Sequence, residues 1–220
     1  ASDLAALDAE QRLYVTWGTE GLRLAWTGAN WNTDGDLFIY LDTESGGATE
    51  AFAPYTAGTS TTTVALPAGT AADTVIWVRD ADTAQRFRWG SSEWIYAETL
   101  SSGQYAYDPV LNDGQTDLYL PFDGLGISDP NGTSLGLVAF ATEEEVMGLW
   151  AALPNLNPVN SGLAVDTSHV VGTGDRLTLT HSYEWAALDS GVCPNGSVDG
   201  SGTRYADTEL AIRLTAEPSG

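Results

Sequence analysis

The sequence DLFIYLDT (residues 36–43) decides the fold class, because apolar side chains occupy both of its faces. Successive side chains of a β-strand point to opposite sides, so Leu37, Ile39 and Leu41 share one face. The opposite face is aromatic in its middle and acidic at both ends. A strand with this pattern is typical of the centre of a sheet that is covered on two sides.

The same period-two alternation recurs along most of the chain. The segments RLYVTW (12–17) and GLRLAW (21–26) are joined by three residues, the length of a hairpin connection. Helical periodicity is confined to residues 3–11 and 142–146. Further strands are predicted at 61–66, 74–80, 85–90, 93–98, 116–122, 134–142, 146–153, 176–185 and 208–216. This spacing predicts an all-β antiparallel sandwich of the jelly-roll or immunoglobulin-like type, formed by residues 1–220 as one domain.

The charge balance argues against several classes of partner. The chain has 30 acidic and 8 basic residues, a formal net charge of −22. Such a charge repels phosphate backbones, so nucleic-acid binding is not expected. No apolar run approaches the roughly 18 residues that a membrane span needs, so no membrane insertion is expected. Cys193 is the single cysteine, which excludes an internal disulfide and a zinc cluster of thiolates.

The turn before the central strand, NWNTDG, carries the side chains of a candidate calcium site. Asn30, Asn32 and Asp34 alternate before a glycine, as in the first half of a calcium-binding loop. Leu41 stands where that loop places its bidentate glutamate, so a helix-loop-helix calcium site is excluded. Two interpretations remain. One is a calcium site at the sandwich edge that adds Asp36, and the other is an Asx-turn whose side chains bond their own backbone.

The aromatic residues divide into two groups. Core packing is expected for the tryptophans within strand patterns, Trp17, Trp26, Trp77 and Trp150. Trp31, Trp94 and Trp185 each lie beside a turn, where a flat ring either stacks on a sugar or caps the end of the sandwich. Tyr105 and Tyr107, in QYAYDP, alternate on one face and could extend such a platform.

Signals for catalysis are sparse. His169 and His181 are the only histidines, and neither lies in a known catalytic or metal-binding motif. A β-sandwich glycosidase needs two facing carboxylates, for which Glu98 and Glu184 are the candidate pair.

Residues 11–47 and 116–153 resemble the DOMON-like group of exported β-sandwiches. This group includes family 9 carbohydrate-binding modules and the C-terminal binding module of glucodextranase. The shared pattern is a strand pair ending in aromatics, then an acidic DLFIYLDT-type strand, then LYLPFDGLGI followed by LGLVAFAT. The resemblance implies a non-catalytic exported module, often stabilised by calcium and often sugar-binding. Asp34, Asp36 and Asp42 match its acidic strand.

These observations predict a non-catalytic module on the cell surface or outside the cell, in a bacterium, that binds a polysaccharide or surface glycan. Calcium would stiffen its acidic loops. The alternative is a structural subunit of a surface layer, filament or adhesin, which self-associates or binds partner surface proteins through the same loops. Residues 154–175 and 187–208 are long enough as loops to serve such contacts.

Overall fold

The computed structural model describes residues 11–52, 63–111, 114–143, 148–159, 176–185 and 197–198. These residues form fourteen strands and two short 3-10 turns, at Asp123–Leu125 and Pro130–Gly132. The strands are β1 (Arg12–Trp17), β2 (Gly21–Thr27), β3 (Asp36–Asp42), β4 (Thr63–Ala65), β5 (Thr74–Asp80), β6 (Thr83–Trp89), β7 (Trp94–Thr99), β8 (Tyr105–Asp108), β9 (Gln115–Pro121), β10 (Leu135–Thr142), β11 (Leu149–Leu153), β12 (Arg176–Thr178), β13 (Tyr183–Trp185) and β14 (Ser197–Val198).

The strands build two antiparallel sheets and one small parallel pair. The smaller sheet has the order β1-β2-β9-β8. The larger sheet has the order β14-β13-β10-β3-β5-β6-β7, and β11 also pairs with β10. Strands β4 and β12 form the parallel pair. This arrangement confirms the prediction of an all-β antiparallel sandwich.

One apolar core fills the space between the two sheets. Leu37, Ile39 and Leu41 of β3 lie in it, together with Leu24 of β2 and Leu120 of β9. The prediction that Leu37, Ile39 and Leu41 share one face of the strand is therefore confirmed, and this face points into the core. On β6 this core reaches Ala84 and does not extend further along the strand among the described residues.

A second apolar cluster covers the opposite face of the larger sheet. Phe38 and Tyr40 of β3 belong to it, and Val64 and Leu66 lie over them from the segment that contains β4. The Tyr40 hydroxyl also accepts a hydrogen bond from the backbone N–H of Phe52, at 3.0 Å. Because β3 is buried on both faces, the prediction of a doubly covered central strand is confirmed.

The structure differs from the predicted strands in three respects. Strands β8 and β14 were not predicted, and the predicted strand 176–185 is divided into β12 and β13. Asn157 explains the division, since its side chain accepts hydrogen bonds from the N–H groups of Thr180 and His181 and donates to the His181 carbonyl. These bonds replace pairing with a neighbouring strand.

The helix predicted at 3–11 and the strand predicted at 208–216 lie outside the described residues, apart from residue 11 itself. Most of the segment 142–146 and of the two long loops does so too. Within the described part of the chain, no helix has the length and hydropathy needed to cross a bilayer.

Candidate functional site

The acidic turn before β3 is an Asx-turn. The Asn30 side-chain oxygen accepts from the N–H of Asn32 at 3.1 Å, and Asp34 accepts from the N–H of Asn30 at 2.7 Å. Thr33 adds a hydroxyl donor to the other Asp34 oxygen. The polar side chains of this turn bond their own backbone and near neighbours, as the Asx-turn interpretation predicted.

The other candidate calcium ligands are also engaged, and they do not converge. Asp36 is buried and accepts from the indole N–H of Trp77 at 2.6 Å, and Asn32 accepts from the N–H of Ala81. Asp42 lies six residues along β3 from Asp36, about 20 Å away, so one ion cannot bind both. Among the described residues, no three acidic, histidine or cysteine side chains are grouped so that they could hold a metal ion.

Three of the five predicted sugar-binding aromatics are buried. Trp31 is only 2% exposed, and its indole N–H donates to the Thr116 hydroxyl. Trp185 packs edge-on against Trp17 with ring centroids 5.9 Å apart. The Tyr105 hydroxyl donates to a backbone carbonyl, and burial raises its pKa. None of these rings presents a face to a sugar, and they pack the interior and ends of the sandwich instead.

Tyr107 and Trp94 are half-buried. The Tyr107 hydroxyl lies within hydrogen-bonding distance of the Ala29 carbonyl and the Asn30 side chain, so it fastens the acidic turn to β8. Trp94 packs edge-on against Trp89, with centroids 5.5 Å apart. Of the five predicted aromatics, Trp94 is the partly exposed tryptophan, and it packs against another partly exposed tryptophan, Trp89.

The structure separates the candidate catalytic carboxylates. Glu98 lies on β7 and Glu184 on β13, five strand spacings or about 24 Å apart in the larger sheet. Facing glycosidase carboxylates are about 5 to 10 Å apart, so this pair cannot flank one glycosidic bond. His181 contacts the Thr180 hydroxyl at 2.8 Å. His169 and Cys193 lie outside the described residues.

A polar groove opens where the sandwich core ends at β6. Along the inward face of β6, Ala84 is buried in the core, whereas Arg86 and Arg88 line the groove. The groove has a volume of about 650 Å³. Its lining comes from the loop 44–47, the start of β5, the end of β6, Ser91 and the turn 123–126.

Arg86 forms the fixed part of the groove. Its Nε donates to a carboxylate oxygen of Glu98 at 3.0 Å, and its side chain is only 14% exposed. Its guanidinium also lies close to Gly124 in the opposite wall. Arg86 therefore links the edge strand β7 to the wall formed by residues 123–126, and its charge is balanced by Glu98.

Asp73 holds the loop that forms another wall. One carboxylate oxygen of Asp73 accepts from the N–H groups of Thr43 at 2.6 Å and Glu44 at 2.8 Å. Burial raises the pKa of Asp73, and the nearby Asp42 and Glu44 carboxylates raise it further, while the two N–H donors oppose the shift. Gly126, with φ +76°, lies so close to the Glu44 carboxylate that a Cβ there would collide with it. The loop and the turn 123–126 therefore meet at Glu44.

Three charged side chains of the groove remain available. Arg88 is exposed and makes no ion pair or hydrogen bond with another described side chain. Glu44 is exposed, and so is Asp123, which uses one oxygen to accept from the N–H of Gly124. The groove therefore offers both hydrogen-bond donors and acceptors to a ligand.

The opposite face of the β6–β7 ribbon carries aromatic rings. Tyr96 is 53% exposed and packs edge-on against Phe87, with centroids 5.7 Å apart. Trp89 and Trp94 are cross-strand partners, and Trp89 also lines the groove. We call Trp89, Trp94 and Tyr96 the aromatic edge. It adjoins the polar groove at the end of β6, because Trp89 belongs to the aromatic edge and also lines the groove.

The sequence contains a pattern that indicates this site, and it lies outside the acidic motifs. In QRFRWG (85–90), two of the 8 basic residues of the chain alternate with Phe87 and Trp89. Such alternation gives one cationic face and one aromatic face on a single strand.

A smaller depression of about 360 Å³ lies on the outer face of the smaller sheet. Arg23 covers the ring of Tyr119 there, 4.9 Å from its centroid. The arginine and the ring of this depression are therefore already paired with each other. A substitution of Arg23 can serve as a control for a substitution of an arginine in the groove.

Comparison of the chain with protein-family models, curated proteins and solved structures gave no match. The resemblance to the DOMON-like group therefore stays a prediction.

Proposed function

We propose that this chain is a non-catalytic module, outside the cell or on the surface of a bacterium, that binds carbohydrate in the polar groove and on the aromatic edge. The observation that carries the proposal is that the two surfaces adjoin at the end of β6, where Trp89 belongs to both. A sugar ring presents hydroxyl groups at its rim and C–H groups on its faces. The groove offers Arg88, Glu44 and Asp123 for the hydroxyls, and the aromatic edge offers partly open rings for the faces.

The geometry of the groove suits a ligand that binds without large rearrangement. Arg86 is fixed by its ion pair with Glu98, and Asp73 is hydrogen-bonded to the backbone of Thr43 and Glu44, so both side chains are positioned before a ligand arrives. Preformed sites bind more tightly because less conformational entropy is lost on binding. Affinity at one such site is expected to be modest and to increase when several modules bind the same polymer.

Affinity electrophoresis against plant, algal and bacterial polysaccharides tests the proposal. We expect retardation by at least one polymer, and Arg88→Gln should reduce it about tenfold, because a charged hydrogen bond contributes roughly 1.5–3 kcal/mol. Arg23→Gln removes the same charge from the comparison depression and should leave retardation unchanged. Equal loss in both variants would mean that overall charge, and not the groove, governs binding.

The exposed edge of the larger sheet favours a second candidate, self-assembly as a surface subunit. Strand β7 ends the sheet among the described strands, and it exposes Ile95 by 41% and Tyr96 by 53%. An open edge with exposed apolar side chains is a template for pairing with another chain. Sedimentation at micromolar concentration tests this candidate. Association that Ile95→Lys abolishes would favour assembly over sugar binding.

A further inference from the structure

The charges of the polar groove distinguish the carbohydrates that it can accept. Arg86 is neutralised by Glu98 at 3.0 Å, which leaves Arg88 as the cation without an ion pair among the described residues that line the groove. Glu44 and Asp123 are both exposed in the lining. In the described part of the lining, available carboxylates therefore outnumber available guanidinium groups.

The other described residues of the groove do not offset this excess of negative charge. Asp73 adds a third carboxylate to the lining, and it is engaged by backbone N–H donors and not by a cation. The chain as a whole carries a formal charge of −22, whose field also repels anions that approach the surface. A polymer with a carboxylate or sulfate on every residue meets this repulsion at each step along the groove.

A neutral polysaccharide meets no such penalty. Each sugar hydroxyl both donates and accepts, so it can donate to Glu44 or Asp123 and accept from Arg88. The planar guanidinium presents several N–H groups in a fixed plane, which suits two neighbouring hydroxyls. An anionic substituent on the sugar would instead lie beside the Glu44 and Asp123 carboxylates, which have no cation to balance them among the described residues, and would be repelled.

We propose that the polar groove is selective for neutral polysaccharides and rejects those that carry carboxylate or sulfate groups. This inference rests on the proposed carbohydrate function and names the substrate class of that site. The repulsion acts between solvent-exposed charges, so dissolved salt screens it. Selectivity against anionic polymers should therefore decrease as the salt concentration increases.

Matched pairs of polymers test the inference. Hydroxyethylcellulose, xylan and galactan are compared with carboxymethylcellulose, glucuronoxylan and polygalacturonate by calorimetric titration at about 20 mM and about 500 mM salt. We expect at least one neutral polymer to bind with little dependence on salt. Its anionic counterpart should bind about tenfold more weakly at low salt, and the gap should narrow at high salt, where the Debye length is only about 4 Å.

Two variants assign the selectivity to the groove. The double variant Glu44→Gln, Asp123→Asn keeps side chains that can hydrogen-bond but removes both charges, so it should reduce the low-salt gap to about threefold or less. Asp82→Asn is the matched control, because Asp82 is exposed in the turn between β5 and β6, at the opposite end of β6 from Arg88. It should leave the gap unchanged.

The outcomes separate this inference from the function on which it rests. Stronger binding of the anionic polymer, weakened by salt, would overturn the inference and leave the carbohydrate function standing. An equal effect of Asp82→Asn and the double variant would also overturn it. Failure of every polymer to bind at either salt concentration would overturn the carbohydrate function itself.

Discussion

The acidic turn before β3 and the polar groove at β6 contain the same kinds of side chain in different states. In the turn, Asp34 and Asn30 bond backbone N–H groups of the turn itself, and Asp36 binds the buried indole of Trp77. In the groove, Arg88 and Glu44 are exposed and unpaired with each other or with described neighbours. The proposed binding site therefore differs from the turn in that the fold positions these two side chains but does not use them for its own hydrogen bonds among the described residues.

The aromatic residues show the same contrast. Trp31 lies between other rings in the core and donates to the Thr116 hydroxyl. Trp89 and Trp94 are paired on the ribbon that extends beyond the core, next to an exposed tyrosine. A ring stays partly exposed to solvent where its strand extends beyond the area that the smaller sheet covers. Proximity to a turn in the sequence does not determine this exposure.

The largest expected effect tests this contrast between the tryptophans. Trp31→Ala should lower the free energy of unfolding by about 3–5 kcal/mol, since it empties a buried site and leaves Thr116 without its partner. Trp94→Ala should cost less, roughly 1–2 kcal/mol, because its ring is half-buried. Urea unfolding of both variants measures the difference. Equal losses would contradict the assignment of Trp31 to the core and Trp94 to the surface.

The next effect concerns the aspartates. Asp36→Ala should lower the free energy of unfolding by about 1–3 kcal/mol, because the buried Trp77 N–H loses its acceptor. Asp123→Ala is the matched change in the groove, where the carboxylate is exposed, and it should alter stability by about 0.5 kcal/mol or less. Thermal unfolding compares the two. A large loss for Asp123→Ala would show that the groove carboxylates are structural.

These two cases also show how much the sequence could predict. The period-two alternation around Leu37 and Leu24 was sufficient for the sandwich and its inward faces, because alternation directly reports the two sides of a strand. It could not locate the groove. The position of the groove depends on where the smaller sheet stops covering β6, which is between Ala84 and Arg86. It also depends on the side chains that the loop 44–47 and the turn 123–126, distant in sequence, bring to β6.

The pH dependence of stability tests the burial of Asp42, which accepts from the N–H of Ala71, and of Asp73, which accepts from the N–H groups of Thr43 and Glu44. Burial raises the pKa of Asp42 and Asp73 in the folded chain. The folded state then holds more protons than the unfolded state just above pH 3.8, so these residues lower stability as the pH increases through that range. The Asp42→Asn variant lacks the contribution of Asp42 to this loss. Its free energy of unfolding should therefore increase relative to that of the unaltered chain as the pH increases, by no more than about 1.4 kcal/mol per pH unit.

Urea unfolding between about pH 3.5 and 7 measures this gain. A difference between Asp42→Asn and the unaltered chain that stays constant with pH would show that burial does not disfavour the charged form of the Asp42 carboxyl group.

The smallest expected effect lies in the turn that joins β6 to β7. Ser91 has φ +76°, a left-handed conformation that costs an L-residue with a Cβ roughly 1–2 kcal/mol. Ser91→Gly relieves this cost but adds entropy to the unfolded chain, so the net gain should be up to about 1 kcal/mol. Ser92→Gly, one residue further, lacks the positive φ and should not stabilise the chain. Thermal unfolding of both variants tests whether the ribbon turn is strained.

The most direct test of the account is an NMR titration of the tryptophan side chains with a polysaccharide that the chain binds. The chain has 8 tryptophans, whose indole N–H signals are assigned by single Trp→Phe variants. We expect shifts concentrated at Trp89 and Trp94, with the buried Trp26 and Trp31 unaffected. Shifts at Trp17 or Trp185, with Trp89 and Trp94 unchanged, would place binding at another surface and contradict the account.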